Sequence, residues 1–188
     1  SQIANKGDVL NPFLMGSLAS AGVSLVKVFR KPVIGVFSSG DELRDPGVDV
    51  NDLLAGQIYD SNRLTVMQLL ATMPVEVRDL GRLADAADVV SEALTNGAQV
   101  CDAMITSGGV SVGDADYISE TIEKLGTLAF WRLNLKPGKP MAFGKIENCW
   151  IFGLPGNPVS TIVTALLLVR PALATLAGTV PEPPLRIK

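Results

Sequence analysis

From Pro32 onward, short segments with the apolar pattern of a strand alternate along the chain with longer segments that have the apolar pattern of a helix. Short β-branched runs predict buried strands, and longer mixed segments predict helices. Because strands and helices alternate with short connections, the pattern favours βαβ units, and Glu147-Asn148 predicts a hairpin. We therefore expect a three-layer α/β/α sandwich with a mostly parallel sheet and an antiparallel edge hairpin. The predicted strands are 33–37, 75–80, 103–106, 127–133, 141–145 and 150–152, and the helices are 61–71, 85–96, 115–125 and 158–177.

The two ends of the chain differ from this central block. Asn11-Pro12 predicts a helix start, with Asn as the N-cap and Pro at the first helical position. The segment around it is too short to bury much apolar surface alone. We expect residues 1–31 to be the remnant of a preceding domain or linker, 32–178 to form one domain, and the Pro-rich 179–188 to lead to an absent C-terminal β domain.

The chain contains no histidine, which excludes Ser-His-Asp and Cys-His nucleophiles, HExxH zinc sites and histidine-ligated haem. Chemistry here must use carboxylates, Lys, Arg, hydroxyls and backbone amides. Sixteen Lys and Arg against 19 Asp and Glu give a net charge of −3. Such a balance argues against nucleic acid as a partner.

The two cysteines, Cys101 and Cys149, lack metal-ligand spacing. We expect them to be buried free thiols in a reducing compartment. The amino end has no signal pattern, and no apolar run reaches about 18 residues. These features predict a cytoplasmic protein without a membrane segment.

Three glycine-rich loops follow predicted strands. In an open α/β sheet, ligands bind beyond the carboxyl ends of the strands, where glycine lets the backbone approach an anion. The glycines of any one loop could simply form a turn, but three such loops at one edge of the sheet favour a shared crevice. Neither GxxxxGK[ST] nor GxGxxG is present, which argues against an ordinary P-loop or Rossmann site. The loops are 39–42, 107–114 and 153–158.

Charged residues accompany these loops. Lys136-Pro137-Gly138-Lys139-Pro140 presents two cations in a proline-stiffened loop, and Arg132 lies close before it. This set suits a phosphate or another oxyanion, the alternative being a solvated charge cluster. Carboxylates opposite such a loop usually hold Mg²⁺, although Asp60 and Asp85 could equally cap helices. The acidic candidates are Asp41, Glu42, Asp60, Asp85, Asp114 and Asp116.

Five segments, in order along about residues 33–178, carry a resemblance to a known family. The sequence is similar there to the molybdopterin molybdenumtransferases, the bacterial MoeA proteins and their gephyrin E-domain relatives. Molybdopterin adenylyltransferases of the MogA type share the fold, but they have a loop similar to TGGTG at the position where this chain has Ser-Gly-Gly-Val-Ser. The five segments are Ser39-Gly40-Asp41-Glu42-Leu43, Gly56-Gln57-Ile58-Tyr59-Asp60-Ser61-Asn62-Arg63, residues 106–117, residues 136–145 and Gly153-Leu154-Pro155-Gly156-Asn157-Pro158-Val159-Ser160.

This resemblance implies a molybdopterin-binding fold and a homodimer. The implied reaction inserts molybdate into adenylylated molybdopterin and releases AMP, with Mg²⁺ bound by Asp116 and Glu42. A molybdopterin adenylyltransferase is the implied upstream partner. Position 132 is often Lys in the family, and Arg keeps the charge with another geometry. The implied catalytic residues are Glu42, Asp85, Asp116, Arg132 and Lys136, and the implied substrate-binding residues are Ser107, Gly108, Gly109, Ser111, Gly113, Asp114, Lys139, Pro155, Gly156 and Asn157.

Two other functions stay open at this point. Family members carry further domains, so the chain could be a molybdopterin-binding and dimerisation module without turnover of its own. It could also catalyse the adenylyltransferase reaction. We expect little or no molybdenum insertion by the isolated 188-residue chain.

Overall fold

The structure is a computed structural model that describes residues 2–110, 116–132 and 140–181. The side chains of 130–132 and 140 fall outside this description. Strands are β1 (Val33–Ser39), β2 (Leu43–Arg44), β3 (Ile58–Tyr59), β4 (Glu76–Leu83), β5 (Ala103–Ser107), β6 (Thr127–Arg132), β7 (Pro140–Ile146) and β8 (Cys149–Leu154). Helices are α1 (Pro12–Ser20), α2 (Asn62–Ala71), α3 (Ala87–Ala98), α4 (Tyr117–Leu125), α5 (Pro158–Thr164) and α6 (Arg170–Leu176), with a π-helical segment, Ala165–Val169, between the last two.

Six strands form the central sheet in the order β4-β1-β5-β8-β7-β6. The first four are parallel, and β7 runs antiparallel to both of its neighbours. The predicted hairpin forms between β7 and β8, but it is not at the edge. Because β8 pairs along its length with β5, the edge strand on this side is β6.

The sheet is covered on both faces, which confirms the three-layer sandwich. Strand β5 shows why: Ala103 and Ile105 pack on one face and Met104 on the other, as the period of two requires. Helix α2 and the final helical stretch cover the first face. Helices α3 and α4 cover the second. The continuous apolar strands are typical of a parallel sheet buried on both sides.

The final helical stretch, Pro158–Leu176, has the length and mean hydropathy (19 residues, 1.8) of a membrane span. Ala165, Val169 and Leu173 are, however, buried against the sheet, which is the position of a core helix. The sequence predicted one uninterrupted helix here. The π turn comes just before Pro171, whose ring nitrogen cannot donate a backbone hydrogen bond.

The amino-terminal segment lies on the outside of this sandwich. Helix α1 begins as predicted, since Leu14 N donates to the Asn11 side chain at 2.9 Å. None of its residues is buried, and Phe13 is 86% exposed. Phe29 contacts Gly178, and Arg30 pairs with Asp102. The division into 1–31, 32–178 and 179–188 remains a prediction, and 182–188 lie outside the described residues.

Both cysteines are free and buried, as expected from the sequence. Burial raises the pKa of the Cys149 thiol to about 12, and it also raises the pKa of Cys101. Neither thiol is therefore a nucleophile near neutral pH, because the reactive form is the thiolate.

Candidate functional site

The chain reverses its direction of travel across the sheet between β1 and β5. From β1 the chain crosses to β4 on one side, and from β4 it returns to β5 on the other. The carboxyl ends of β1 and β5 therefore flank a topological switch point. Ligands of open α/β sheets bind in the crevice outside such a point.

Three loops meet at this crevice, and we call them the rim: residues 40–42 after β1, 108–110 after β5 and 155–157 after β8. Gly108 N donates to Leu154 O at 3.1 Å. A Cβ on Gly108 would lie 2.3 Å from Ser39 O, and one on Gly156 would lie 3.9 Å from Gly108 Cα. Glycine at 108 is thus required by a backbone contact, in addition to its φ of +86°.

Two acidic candidates are joined at one side of the rim. Ser39 Oγ donates to Asp85 Oδ1 at 3.3 Å, and Asp85 N donates to Asp41 Oδ1 at 3.2 Å. The alternative of Asp85 as a helix cap is wrong, because α3 is preceded by Ala86 and has no side-chain cap. Glu42 is exposed, and its carboxylate lies over Gly40.

Asp116 is a helix cap, which the sequence did not predict. Its Oδ1 accepts from Ser119 N at 3.0 Å and its Oδ2 from Ser119 Oγ at 2.8 Å. The side chain is buried at the start of α4. Each of its oxygens thus already accepts one hydrogen bond, and each has lone-pair capacity left.

Asp60 belongs to a buried network and not to the rim. It accepts from Ser38 Oγ at 2.5 Å and from Arg63 Nε at 2.9 Å. Arg63 also binds Asp79 at 2.5 Å and Asp45. Although burial raises the pKa of Asp79, hydrogen bonds from Gly81 N and Arg63 hold it below its ordinary value. The Arg63 guanidinium therefore connects α2 to β4 and to the segment of residues 40–61.

The third rim loop is held by its own helix. Asn157 caps α5 by accepting from Val159 N and Ser160 N at 3.1 and 3.2 Å, and Thr161 Oγ1 donates to Pro155 O at 2.5 Å. These amides are therefore occupied.

Part of the predicted site lies where the structure gives no description. Ser107 ends β5 and is buried, beside Gly108 and Gly109. Arg132 ends β6, but its side chain is not described. The remaining predicted residues lie outside the described ranges: Ser111, Gly113, Asp114, Lys136 and Lys139.

One residue that fixes the rim was missed by the sequence analysis. Asn62 Nδ2, at the start of α2, donates to Gly156 O at 2.7 Å. The partners are 94 positions apart in sequence, so no local signal could have revealed the contact. It joins the first crossover to the third rim loop.

The described ranges contain no group of three or more His, Cys, Asp or Glu side chains that could hold a metal ion. A cavity of about 640 Å³ is present, but it lies at the opposite end of the sheet, between residues 7–9, Thr72–Pro74, 166–174 and 179–180. It collects none of the predicted site residues. The rim is therefore the better candidate site, because it follows the parallel strands' carboxyl ends.

A mostly parallel sheet of this topology, covered by helices on both faces, places the chain in the doubly wound α/β class, whose ligands bind beyond the carboxyl ends of the strands. Residues 35–175 match the family model described as "Probable molybdopterin binding domain". The chain belongs to this family.

Its relatives are considerably longer. The chain is 47% identical over 176 residues to the molybdopterin molybdenumtransferase of Haemophilus influenzae, covering 94% of this chain and 43% of that protein. It is 35% identical over 201 residues to gephyrin of Dictyostelium discoideum, covering 94% of this chain and 28% of gephyrin. The chain therefore spans less than half the length of these relatives.

A solved structure agrees with both matches. The crystal structure of the molybdopterin biosynthesis MoeA protein of Pyrococcus horikosii superposes with a TM-score of 0.82 at 32% identity. The match covers 94% of this chain and 43% of that one. The resemblance inferred from the five sequence segments is thus confirmed, as is the fold.

Proposed function

We propose that this chain is the molybdopterin-binding part of a molybdenum-insertion enzyme of cofactor biosynthesis. The reaction places molybdate on the dithiolene sulfurs of adenylylated molybdopterin and releases AMP. The observation that carries the proposal is the meeting of three glycine-bearing loops at a switch point, in a chain 47% identical to a molybdopterin molybdenumtransferase.

The proposed roles follow from charge and position. Ser107, Gly109 and the carboxylates of Glu42 and Asp85 line or border the switch-point crevice, where a pterin phosphate would lie. Arg132, Lys136 and Lys139 would bind oxygens of molybdate or phosphate, since Arg and Lys are the usual partners of such anions. None of these steps needs an imidazole.

Mg²⁺ would neutralise the negative oxygens of the substrate. It is usually bound by one or two carboxylates together with substrate phosphates and water, so a three-residue cluster is not required. Glu42 fits this role because it is exposed beside the rim. Asp116 fits less well as a direct ligand, since Ser119 binds both of its oxygens.

A homodimer, a cytoplasmic location and an upstream molybdopterin adenylyltransferase complete the proposal. The dimer and the upstream partner rest on the family resemblance, and the location rests on the two free, buried cysteines. Light scattering of the purified chain checks the first, with a mass of twice 19.8 kDa expected.

The test is a titration of the purified protein with adenylylated molybdopterin, followed by measurement of AMP release on adding molybdate and Mg²⁺. We expect binding that is weakened about tenfold or more by Lys136→Ala, because a charge-assisted contact is lost. Lys145→Ala is the matched control, since Lys145 lies over the Trp150 ring at the other end of the sheet.

The outcomes separate the candidate functions. Binding with molybdate-dependent AMP release places turnover in this chain, and binding without release identifies a binding part that needs further domains. ATP-dependent formation of adenylylated molybdopterin would instead identify an adenylyltransferase. Absence of binding by the wild-type chain contradicts the proposal.

A further inference from the structure

Arg82, near the carboxyl end of β4, has no partner in the described part of the chain. Its Nε is buried and makes no hydrogen bond. Buried N–H donors are almost always satisfied, so an orphaned one calls for a ligand or another explanation. Other arginines, in contrast to Arg82, have clear partners. Arg30 pairs with Asp102, Arg63 pairs with three aspartates, and Arg78 pairs with Glu76. Arg44 donates to the carbonyls of Asp41 and Leu43.

The position of Arg82 in the sheet places it beside the rim. Arg82 is in register with Ser38, and the next residue, Leu83, is in register with Ser39. Ser39 contributes the carbonyl that touches Gly108 and the hydroxyl that binds Asp85. Arg82 thus lies on β4, which pairs with the switch-point strand β1 on the side away from β5.

Three carboxylates that follow β1, or that lie on or after β4, have hydrogen-bond partners other than Arg82. Asp60 and Asp79 bind Arg63, and Asp85 accepts from Ser39. A guanidinium stays charged at every accessible pH and offers five donors in a planar fork. That fork matches the paired oxygens of a phosphate or a similar tetrahedral anion.

We propose that Arg82 is a further binding residue of the rim and that it binds a tetrahedral oxyanion, supplied by a phosphate of the substrate or by molybdate. The proposal rests on the proposed function, whose substrates carry both kinds of oxyanion.

The experiment is calorimetric titration of the purified protein with sodium pyrophosphate and, separately, sodium molybdate at constant ionic strength. We expect Arg82→Gln to weaken binding of at least one anion about tenfold or more, because a charge-assisted contact is lost. Arg82→Lys should recover part of this loss, since it keeps the charge without the fork. A loss for pyrophosphate alone identifies the substrate phosphate, and a loss for molybdate alone identifies molybdate.

Arg78→Gln is the matched control, because Arg78 lies on the same strand and already pairs with Glu76. We expect it to leave both affinities within about twofold. A second measurement separates binding from folding: without anions, Arg82→Met should melt no lower than the wild type, because it removes an unsatisfied buried donor. Added pyrophosphate or molybdate should then stabilise Arg82→Met less than the wild type.

Equal binding of both anions by Arg82→Gln and the wild type would overturn the proposal, as would a wild-type protein that binds neither. Failure of the proposed function looks different. In that case the wild type does not bind adenylylated molybdopterin, whereas failure of the Arg82 assignment leaves that binding intact in wild type and Arg82→Gln alike.

Discussion

The two ends of the parallel sheet satisfy their polar groups in different ways. At the amino end, Arg30 pairs with Asp102 through two hydrogen bonds of 2.6 and 2.5 Å, and Val33 N donates to the same carboxylate at 2.8 Å. At the carboxyl end, Asp85 accepts one hydrogen bond of 3.3 Å from Ser39. Backbone groups meet there as well: Gly108 N donates to Leu154 O at 3.1 Å, and Ser39 O fills the space that a Cβ on Gly108 would need.

This difference separates stability from ligand binding. The Arg30 guanidinium is already paired with the Asp102 carboxylate, so it has fewer hydrogen-bond donors left for a ligand. This pair instead fixes the amino-terminal segment to the amino end of the sheet. At the carboxyl end, the described residues of the rim are held without an ion pair, by hydrogen bonds such as Gly108 N to Leu154 O and Asn62 Nδ2 to Gly156 O, which leaves the charged side chains of Glu42 and Arg82 available.

Gly108→Ala should destabilise the protein by about 3 kcal/mol. The new Cβ would meet Ser39 O at 2.3 Å, and a φ of +86° disfavours any side chain. Urea unfolding followed by circular dichroism measures the change.

Gly156→Ala is the control for this substitution on the same rim. The nearest atom to its Cβ is 3.9 Å away, and φ lies outside the left-handed region. We expect a change within about 0.5 kcal/mol. Equal losses from the two glycines would mean that the close contact at Gly108 does not hold the rim together.

Asp60→Asn should cost about 2 kcal/mol, because it removes the charge that Arg63 and the Ser38 hydroxyl bind in a buried place. The matched control is Asp45→Asn, which removes another carboxylate from the same guanidinium at a position 54% exposed. Solvent screening should keep its effect below about 1 kcal/mol. A control as damaging as Asp60→Asn would show that burial does not set the ranking.

Asp102→Asn should destabilise the protein less than Asp60→Asn, since the Asp102 side chain is 24% exposed, and its effect should depend on pH. The hydrogen bonds from Arg30 hold the pKa of Asp102 below its ordinary value, burial opposes them, and Val33 N adds to them. A lowered folded pKa gives stability that is present above the unfolded pKa of about 3.9 and lost as pH falls through the folded value.

Urea midpoints measured from pH 7 to pH 2 test this dependence. The gap between Asp102→Asn and the wild type should be widest above about pH 5 and close as the carboxyl takes up its proton. A gap that is constant over this range would contradict the assigned pKa direction.

Much of the fold could be predicted from periodicity, because the strands of the central sheet and the helices that cover it have local signals, whereas the two-residue strands β2 and β3 were not predicted. The strands at 33–37 and 103–106 were found to within two residues of β1 and β5. The inner position of the β7–β8 hairpin was not predicted. It depends on the pairing of β8 with β5, whose paired residues are 47 positions apart in sequence, as Ala103 and Trp150 are, so no local signal marks it.

The candidate site, like the fold, has one part that could be predicted from the sequence and one part that could not. The glycine-rich loops could be found because glycine and proline mark turns, and their meeting follows from the strand-end rule. The partners of each polar side chain could not. Asp60 was expected at the rim and binds Ser38 inside the sandwich, while Asp116 caps α4. Such pairings depend on side-chain placement across many residues.

The most direct test of the central claim is a crystal structure of the protein soaked with molybdate, recorded at a wavelength where molybdenum scatters anomalously. The account predicts an anomalous peak in the crevice bounded by Ser39, Gly109 and Asp85. A peak only in the cavity at the opposite end, between Asp8 and Arg170, would contradict it.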